Sequence, residues 1–408
     1  MTALSRPGLK ILWTLPYLPW PTTSGGKLRQ YHLLRELAAR GHRITLLAQS
    51  KEAASAECRR QLEDIVERLI VLPRRALKHP LTLLAAALGP HPLLVSVNGL
   101  SPALRDAFEA LLQEPWDVVQ IEHSYGLQPF LPALRRSGQP FVLTEHNVES
   151  TLGAATYQHL PAWAAPYIAW DQWRYQRWEK KALAAATRLA AVTDDDALQL
   201  ARIRRGPVDV VINGVDTAAF AASGPAQDSR RLLFVGNFEY PPNLDAVEWI
   251  VEDILPRLWR RMPDARLAVC GYAMPAAWSR RWPDARIEWR GFAPSLPPEQ
   301  RRSAAFIAAL REGGGSKLKV LEALAAGLPL VSTRQGVSGL ALQAGRDFLP
   351  GDDSQELADA AWTALQGGER IAELGEAGRR YARDHHDWSV AADQLENLYR
   401  KLKHAHRD

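Results

Sequence analysis

The chain has 408 residues, of which 47% are hydrophobic and 23% are charged, and its formal net charge is +5. This length exceeds what one ordinary hydrophobic core accommodates and favours two domains of about 200 residues each. The two cysteines, Cys58 and Cys270, lie far apart in sequence, which excludes a disulfide-rich scaffold and a cysteine-pair metal site and fits a reducing compartment.

The first half of the chain alternates short apolar runs with segments of helical spacing. The predicted strands are 10–14, 43–48, 69–72, 118–121, 141–144, 188–192 and 208–212, and the predicted helices include 27–40 and a long one over 162–186. A repeated strand–helix–strand order indicates a parallel, doubly wound sheet.

The second half restarts the same alternation. Its predicted strands are 231–235, 266–270, 287–290, 305–309 and 329–333, with helices over 246–260, 319–326 and 390–403. Small residues, Gly and Pro are mixed over 218–229, which predicts a linker there. We therefore expect an N-terminal domain of residues 1–217, a linker of residues 218–229, a C-terminal domain of residues 230–385 and a terminal segment of residues 386–408.

The sequence has no apolar run long enough to cross a bilayer and no signal-peptide pattern at its start. The nearest candidate is the run Leu81–Leu88, for which a buried helix is favoured over one that dips into a membrane interface. Residues 1–210 carry 25 Lys and Arg against 19 Asp and Glu. This excess fits contact with anionic lipid or an anionic acceptor, and it also fits ordinary solubility charge.

The segment after strand 305–309 combines a glycine loop, two lysines and a carboxylate. Its members are Gly313, Gly314, Gly315, Ser316, Lys317, Lys319 and Glu322. Glycines before a helix let backbone N–H groups approach an anion, and the helix N-terminus adds partial positive charge. Lysines suit phosphate, and a carboxylate suits sugar hydroxyls. Neither a P-loop nor a Gly-x-Gly-x-x-Gly fingerprint is present at this position.

This segment resembles the donor-binding signature of glycosyltransferase family 4, in a variant reading Gly-Gly-Gly-Thr/Ser-Arg/Lys-x-Lys-x-Leu-Glu-Ala. Four further motifs occur in the order of that family: Ser24-Gly25-Gly26, Asn213-Gly214-Val215-Asp216, Gly236-Asn237-Phe238 with Pro242-Asn243-x-Asp245, and Arg290-Gly291-Phe292. The resemblance covers nearly the whole chain. It implies the GT-B fold, an α/β architecture of two Rossmann-like, doubly wound parallel-sheet domains that face each other across a cleft. It also implies that the helix in 386–408 crosses back to the N-terminal domain.

The resemblance implies a donor site for a nucleotide-diphosphate sugar. Its residues would be Gly25, Gly26, Gly236, Asn237, Phe292, Arg311, Gly313, Gly314, Gly315, Ser316 and Lys317, with Lys319 on the leaving diphosphate and Glu322 on the ribose. Structural alternatives stand beside these roles. Lys317 could be solvated, Arg311 could pair with Glu312, and the side chain of Phe292 could belong to the core. The motif at 213–216 favours an interdomain turn over a ligand contact.

The acidic signature of the family departs from its usual form in this chain. The family has a second Glu, separated from the ribose Glu by seven intervening residues, with which it contacts the donor sugar. Counting back from Glu322, that position is Gly314, so this sequence offers backbone amides there in place of a carboxylate.

Two histidines follow predicted strands and are candidates for acid–base work near neutral pH. The resemblance places His146, in Thr144-Glu145-His146-Asn147-Val148-Glu149, beside the anomeric centre of the donor. His123 is a second strand-end candidate, and Glu149 could pair with either histidine or bind acceptor. A packing or capping role is the alternative for both histidines.

Two runs of acids favour helix caps over metal ligation. Asp194, Asp195 and Asp196 follow Thr193 at a predicted helix start, and Asp352 and Asp353 precede another. We expect no metal site and no cofactor.

The resemblance thus implies a retaining hexosyltransferase that moves a sugar from a nucleotide-diphosphate donor to a hydroxyl of a glycan or lipid-linked acceptor. Synthesis of cell-surface polysaccharide or glycolipid is the expected setting. The expected location is cytoplasmic, with peripheral contact at the inner membrane face and no nucleic-acid partner. A nucleotide-sugar epimerase or hydrolase on the same fold, and a non-catalytic nucleotide-sugar-binding protein, are the alternatives.

Overall fold

The structure is a computed structural model that describes residues 8–75, 79–99, 101–152, 162–226, 228–313 and 317–405. The chain divides into two compact units. The first contains the residues up to Ile212 together with those from Ala391 onward, and the second contains Asn213–Val390. In this division, residues 213–229 are part of the second unit.

The first unit contains, within the described residues, a seven-stranded parallel sheet with strand order β3-β2-β1-β4-β5-β6-β7. Its strands are β1 (Lys10–Leu15), β2 (Arg43–Ser50), β3 (Arg68–Pro73), β4 (Val118–Glu122), β5 (Phe141–Glu145), β6 (Arg188–Ala191) and β7 (Asp209–Val210). Its helices are α1 (Gly25–Ala39), α2 (Ala56–Glu63), α3 (Pro80–Leu88), α4 (Leu93–Gly99), α5 (Pro102–Leu111), α6 (Leu131–Ser137), α7 (Glu149–Leu152), α8 (Ala165–Ala185) and α9 (Asp194–Arg204). The strand order reverses between β1 and β4, where ligands of doubly wound folds bind at the carboxyl ends of the strands.

The second unit has, among the residues that the structure describes, a six-stranded parallel sheet of order β10-β9-β8-β11-β12-β13. Its strands are β8 (Arg231–Val235), β9 (Arg266–Cys270), β10 (Ile287–Gly291), β11 (Ala305–Ala308), β12 (Leu330–Ser332) and β13 (Leu349–Pro350). Its helices are α10 (Thr217–Ala221), α11 (Pro241–Trp249), α12 (Leu255–Arg261), α13 (Trp278–Arg281), α14 (Pro297–Gln300), α15 (Leu318–Ala325), α16 (Ser354–Gln366) and α17 (Glu369–His386). A π-helical turn, Ile250–Ile254, joins α11 to α12, and α18 (Trp388–Ala405) ends the described chain. Here the strand order reverses between β8 and β11.

The alternating pattern of the sequence explains both sheets. The central strands of each sheet are buried on both faces, as parallel strands are, so they are largely apolar, whereas the edge strands β3, β7, β10 and β13 are partly exposed. Leu12, Val119 and Leu143 pack in the core of the first unit, and Leu232, Phe234 and Ile307 pack in the second. The prediction of two Rossmann-like, doubly wound parallel-sheet domains is therefore confirmed.

The predicted helix caps at the acidic runs are also confirmed. Thr193 accepts a hydrogen bond from the Asp196 backbone N–H at 3.1 Å at the start of α9. Asp353 accepts from the backbone N–H groups of Gln355 and Glu356 at the start of α16.

The expectation of a buried helix over Leu81–Leu88 is wrong. These residues form α3, but Leu81, Leu83, Leu84 and Leu88 are exposed, and only the small side chains of Thr82 and Ala86 lie against the rest of the unit. An apolar run predicts burial by composition, and composition does not show whether a neighbouring element covers it. Within the described residues, no helix is both long enough and apolar enough to span a bilayer.

Candidate functional site

The crevice at the carboxyl ends of β1, β4 and β5 holds both predicted histidines. Glu122 ends β4 and His123 follows it, while His146 comes directly after β5. The two imidazole rings lie with their centroids 4.2 Å apart. Neighbouring parallel strands end at the same edge of the sheet, which is why residues 23 positions apart in sequence meet there.

A chain of hydrogen bonds fixes His146. Trp13 Nε1 donates to Gln30 Oε1 at 3.1 Å, and Gln30 Nε2 donates to Glu122 Oε2 at 2.7 Å. His146 Nε2 lies 3.0 Å from the same carboxylate oxygen and 3.2 Å from Gln30 Nε2, and Gln120 Nε2 donates to Glu122 Oε1 at 2.8 Å. In the tautomer that donates from Nε2 to Glu122, Nδ1 of His146 is left as an acceptor.

The environment keeps His146 neutral. Burial, with a smaller contribution from the nearby Arg29 guanidinium, lowers the pKa of His146 to about 3. Burial also raises the pKa of Glu122, against the effect of Arg29. A neutral imidazole of fixed orientation can accept a hydrogen bond, but it does not carry positive charge into the crevice.

The N-terminus of α1 lies directly over this histidine. Ser24 caps the helix through its hydroxyl, and Gly25 and Gly26 are the first helical residues. A Cβ on Gly26 would lie 3.6 Å from His146 Nδ1 and 3.0 Å from Tyr17 Oη. Glycine at position 26 therefore leaves the acceptor nitrogen of His146 uncovered.

His123 lies in a second, more enclosed group. Its ring stacks on Tyr125 with centroids 4.7 Å apart, and its Nε2 is 3.1 Å from Tyr17 Oη. Its Nδ1 is 3.9 Å from Glu149 Oε1. The backbone of His123 has φ of +65°, which is strained for a residue with a side chain. The strained backbone therefore lies directly after β4, where the His123 side chain enters the crevice.

Three side chains at this place could hold a cation. One ligand atom each from His123, Glu145 and Glu149 lies within 4.8 Å of the others. Glu145 Oε1 accepts from the Ser124 backbone N–H at 2.7 Å, while Glu145 Oε2 and His123 Nδ1 have no hydrogen-bond partner among the described residues. Burial raises the pKa of Glu149 to about 7 and raises that of Glu145 well above its usual value. Both carboxyls can therefore hold a proton near neutral pH.

Lys319 is the central cation of the second unit. It lies on α15, donates through Nζ to Asn243 Oδ1, and approaches the ring of Phe234 to 4.7 Å. Asn243 in turn donates through Nδ2 to the Asn237 carbonyl at 2.7 Å. Burial, with a smaller contribution from the charge of Lys317 and against that of Glu322, lowers the pKa of Lys319 to about 7. Lys319 is therefore positioned by a neutral amide at the carboxyl end of β8.

Glu322 lies one helical turn beyond Lys319. Burial raises the pKa of its carboxyl to about 7, and the lysine opposes that shift. Residues three apart on a helix lie on nearly the same face, so the two groups influence each other's ionisation.

The start of the glycine run is held by two side chains. Lys317 Nζ donates to the Gly313 carbonyl at 2.8 Å, and Gln335 Nε2 donates to the same oxygen at 2.7 Å. Gly313 has φ of +111°, and a Cβ there would lie 2.9 Å from Tyr240 Oη. A side chain at 313 would therefore be both strained and obstructed. Gly314, Gly315 and Ser316 lie outside the described residues.

The structure shows the surroundings of three further donor-site candidates, Arg311, Lys317 and Phe292. Arg311 pairs with Asp245 rather than with Glu312, and its guanidinium lies 5.0 Å from the ring centroid of Trp249. Lys317 is buried and not solvated. The expectation that the Phe292 side chain belongs to the core is wrong, because that side chain is 58% exposed.

In the second unit, the motifs at 236–238 and 213–216 act through their backbone conformation and backbone hydrogen bonds. A Cβ on Gly236 would lie 3.1 Å from Asn243 Cγ, so glycine allows the close approach that positions the asparagine. The Asn237 side chain accepts from the Glu239 backbone N–H at 2.9 Å. In the motif at 213–216, the Val215 backbone N–H donates to the His386 carbonyl at 2.7 Å.

Sequence reasoning did not select several residues that position these groups. They are Trp13, Tyr17, Gln30, Glu122 and Glu145, and Asn243 was named only as part of the motif at 242–245. A signal was present for Glu122, because a carboxylate at the end of an otherwise apolar buried strand needs a partner. No pattern in the sequence indicated Gln30, which lies on an amphipathic helix among other polar residues.

Both units match family models. Residues 24–215 match the glycosyl transferase 4-like domain, and residues 229–367 match the family described as glycosyl transferases group 1. No curated protein sequence matches the chain at a significant level.

Solved structures share the fold at low sequence identity. HepE of Anabaena in complex with UDP and glucose is 14% identical, with a TM-score of 0.64 over 95% of this chain and 98% of that chain. Sucrose-phosphate synthase from Thermosynechococcus elongatus is 17% identical, with a TM-score of 0.68 over 97% and 100%. A glycosyltransferase from Rickettsia africae is 14% identical, with a TM-score of 0.66 over 97% and 98%. The chain carries a glycosyl transferase 4-like domain followed by a group 1 glycosyl transferase domain, and it belongs to the glycosyltransferases.

Proposed function

We propose that the protein is a retaining, metal-independent hexosyltransferase of family 4, of the glycine-run variant. It moves a sugar from a nucleotide-diphosphate donor to a hydroxyl of a glycan or lipid-linked acceptor. The setting is the synthesis of cell-surface polysaccharide or glycolipid. The protein acts on the cytoplasmic side, in peripheral contact with anionic lipid.

One observation carries the proposal. The two lysines beside the glycine run are hydrogen-bonded to neutral oxygens, Lys319 to the amide of Asn243 and Lys317 to the carbonyl of Gly313. Arg311, in contrast, is neutralised by Asp245. Two partly desolvated cations, to which no carboxylate of the described residues is directly bonded, can stabilise the negative charge that develops on a leaving diphosphate.

The other groups receive roles consistent with their geometry. Glu322, one turn along the helix from Lys319, binds the ribose hydroxyls. His146, neutral and open at Nδ1, accepts a hydrogen bond from the donor sugar or the incoming hydroxyl. The sequence motif assigns Gly313, Gly314, Gly315 and Ser316 to the phosphates through their backbone N–H groups, and Gly26 leaves room in front of His146.

The first experiment is a thermal-shift panel of nucleotide diphosphates and their sugar conjugates. It includes UDP and UDP-glucose, because HepE structures contain them. A ligand that binds the native state raises the melting temperature by mass action. The conjugate that stabilises most then enters transfer assays with added acceptor glycans and lipids.

Substitution of Lys319 tests the central role. We expect Lys319→Ala to lower kcat/KM for transfer by roughly 100-fold or more, the usual loss for one group that stabilises developing charge. Arg311→Ala is the matched control and should change transfer much less, because Asp245 already neutralises that cation. Undiminished transfer by Lys319→Ala contradicts the proposal. Donor breakdown or epimerisation without glycosidic product identifies the hydrolase or epimerase alternative.

A further inference from the structure

The exposed large hydrophobic side chains of the described residues are concentrated on two helices of the first unit. Eleven such side chains are exposed, and seven of them lie on α3 or at and along α8. They are Leu81, Leu83, Leu84, Leu88, Trp163, Trp170 and Trp173. Scattered single exposed apolar residues are ordinary on a protein surface, whereas a cluster marks an interaction site.

Helix α3 presents an uncharged apolar surface. The stretch from Pro80 to Pro90 contains no charged residue, and Leu88 is 80% exposed. Thr82 and Ala86 are fully buried beneath the helix, so the helix is packed on the unit and is not a loose segment.

Helix α3 is attached to α8, so the two helices form one surface. Arg174 of α8 donates to the carbonyls of Ala86 at 2.7 Å and Gly89 at 2.8 Å. Asp171 of α8 accepts from the Leu93 backbone N–H at 3.1 Å. The guanidinium of Arg174 also lies 3.5 Å from the ring centroid of Trp170. The carboxyl-terminal end of α3 is thereby held against α8 close to Trp170.

The outer face of α8 changes from aromatic to cationic along its length. Trp170 and Trp173 are followed on that face by Arg177, Lys180 and Lys181, which are all exposed. Both acids of the helix, Asp171 and Glu179, are buried. The exposed charge of α8 is therefore wholly positive.

We propose that this surface docks the protein on an anionic lipid bilayer. We call it the docking face and define it as Leu81, Leu83, Leu84 and Leu88 of α3 with Trp170, Trp173, Arg177, Lys180 and Lys181 of α8. The leucines enter the acyl boundary, the tryptophans lie at the level of the headgroups, and the three cations contact anionic headgroups. The choice of a lipid bilayer as the partner rests on the membrane contact given under the proposed function. The inference does not depend on sugar transfer.

The charge of the face favours a bilayer over a second copy of the chain. A symmetric dimer through this face would bring two sets of the same three cations together, and α8 exposes no acid to pair with them. A lipid surface supplies both an apolar layer for the leucines and negative charge for the cations.

Vesicle flotation tests the proposal with the full chain. The probes are vesicles of phosphatidylcholine alone and of phosphatidylcholine with phosphatidylglycerol. We expect binding to the anionic vesicles, and we expect the double variant Leu84→Glu with Leu88→Glu to weaken it roughly tenfold or more. The matched control is Leu198→Glu, which alters a 62% exposed leucine on α9 and should bind as the wild type does.

The cations have their own control pair. Lys180→Gln with Lys181→Gln should weaken binding to anionic vesicles roughly fivefold per cation removed. Arg59→Gln with Arg60→Gln removes two adjacent exposed cations from α2 and should have a much smaller effect.

Three results would overturn the proposal. The first is that the wild type does not bind vesicles, and the second is that the variants and their controls lose binding equally. The third is that light scattering shows a dimer, which Leu84→Glu with Leu88→Glu converts to a monomer without changing vesicle binding. The thermal shift by UDP-glucose is measured on every variant. It should match that of the wild type, so a failure of the docking face is distinguishable from a failure of the donor site.

Discussion

Two residues, Lys319 and Glu322, give the donor site a pH dependence. Burial lowers the pKa of the lysine to about 7 and raises that of the carboxyl to about 7. Below that pH the lysine is charged and the carboxyl is neutral. Above it the lysine loses its charge and the carboxyl becomes negative. Both changes make the site less positive as the pH rises.

We therefore predict that affinity for a nucleotide-diphosphate sugar is highest below pH 7 and falls above it, by up to about tenfold per pH unit for each proton taken up on binding. A sugar conjugate is the correct probe, because its diphosphate does not titrate in this range. Calorimetry at pH 6 and pH 8.5, in buffers of different ionisation enthalpy, measures the affinity and the proton uptake. Glu322→Gln should reduce the dependence, and a flat wild-type profile would contradict the assignment.

The residues of the site could be predicted from the sequence only where chemistry and position coincide. His146 and Lys319 stand at element ends in recognisable motifs, and their positions follow from the strand and helix pattern. Gln30 could not be found, because its role depends on Trp13 and Glu122, which come from two other elements. Contacts between elements determine such positioning residues, and no local pattern encodes them.

At the scale of elements, the segment at 213–216 is a packing motif. Gly214 lies against Trp388, which is almost fully buried, and a Cβ there would lie 2.7 Å from the indole and 3.0 Å from the Trp388 Cα. The Val215 backbone is bonded to the His386 carbonyl, so this segment has little freedom to move away.

We predict that Gly214→Ala lowers the free energy of unfolding of the second unit by about 1–3 kcal/mol, the usual cost of an overpacked site. Gly224→Ala is the control, because its Cβ would meet only the Arg379 guanidinium at 3.9 Å. Urea denaturation followed by fluorescence compares the two variants. An equal free energy of unfolding in both variants would mean that the Trp388 side chain can shift to accommodate the added methyl group without loss of stability.

The elements themselves were predictable to different degrees. Strands β8 and β9 have the predicted bounds, since short β-branched and apolar runs between polar residues are unambiguous. The single helix expected over 246–260 starts earlier, at Pro241, and contains a π-helical turn. Proline at a first helical position is compatible with such an early start. The prediction missed it because it was based on apolar periodicity, which begins later in the sequence.

At the scale of the whole molecule, vesicle binding through the excess positive charge of residues 1–210 and vesicle binding through the docking face depend differently on salt concentration. A general field from the 25 Lys and Arg of residues 1–210 would be screened over a Debye length of about 10 Å at 0.1 M salt. The leucines of α3 contribute an apolar term that salt does not screen.

We predict that vesicle binding of the wild type weakens with added salt but persists at about 0.5 M. Lys180→Gln with Lys181→Gln should bind less and show a smaller salt slope. Leu84→Glu with Leu88→Glu should bind weakly at every salt concentration. Flotation at two ionic strengths measures all three, and an unchanged slope in the lysine variant would assign the attraction to the general field instead.

The last residues of the chain complete the first unit. Gln394 accepts from the Ile212 backbone N–H at 2.9 Å, and Glu396 contacts His42 at 2.7 Å. Leu395 and Tyr399 are buried there. The first unit is therefore discontinuous in sequence, and a fragment that stops at residue 212 lacks part of its own core. During synthesis on the ribosome, this unit can finish folding only after the entire second unit has been translated.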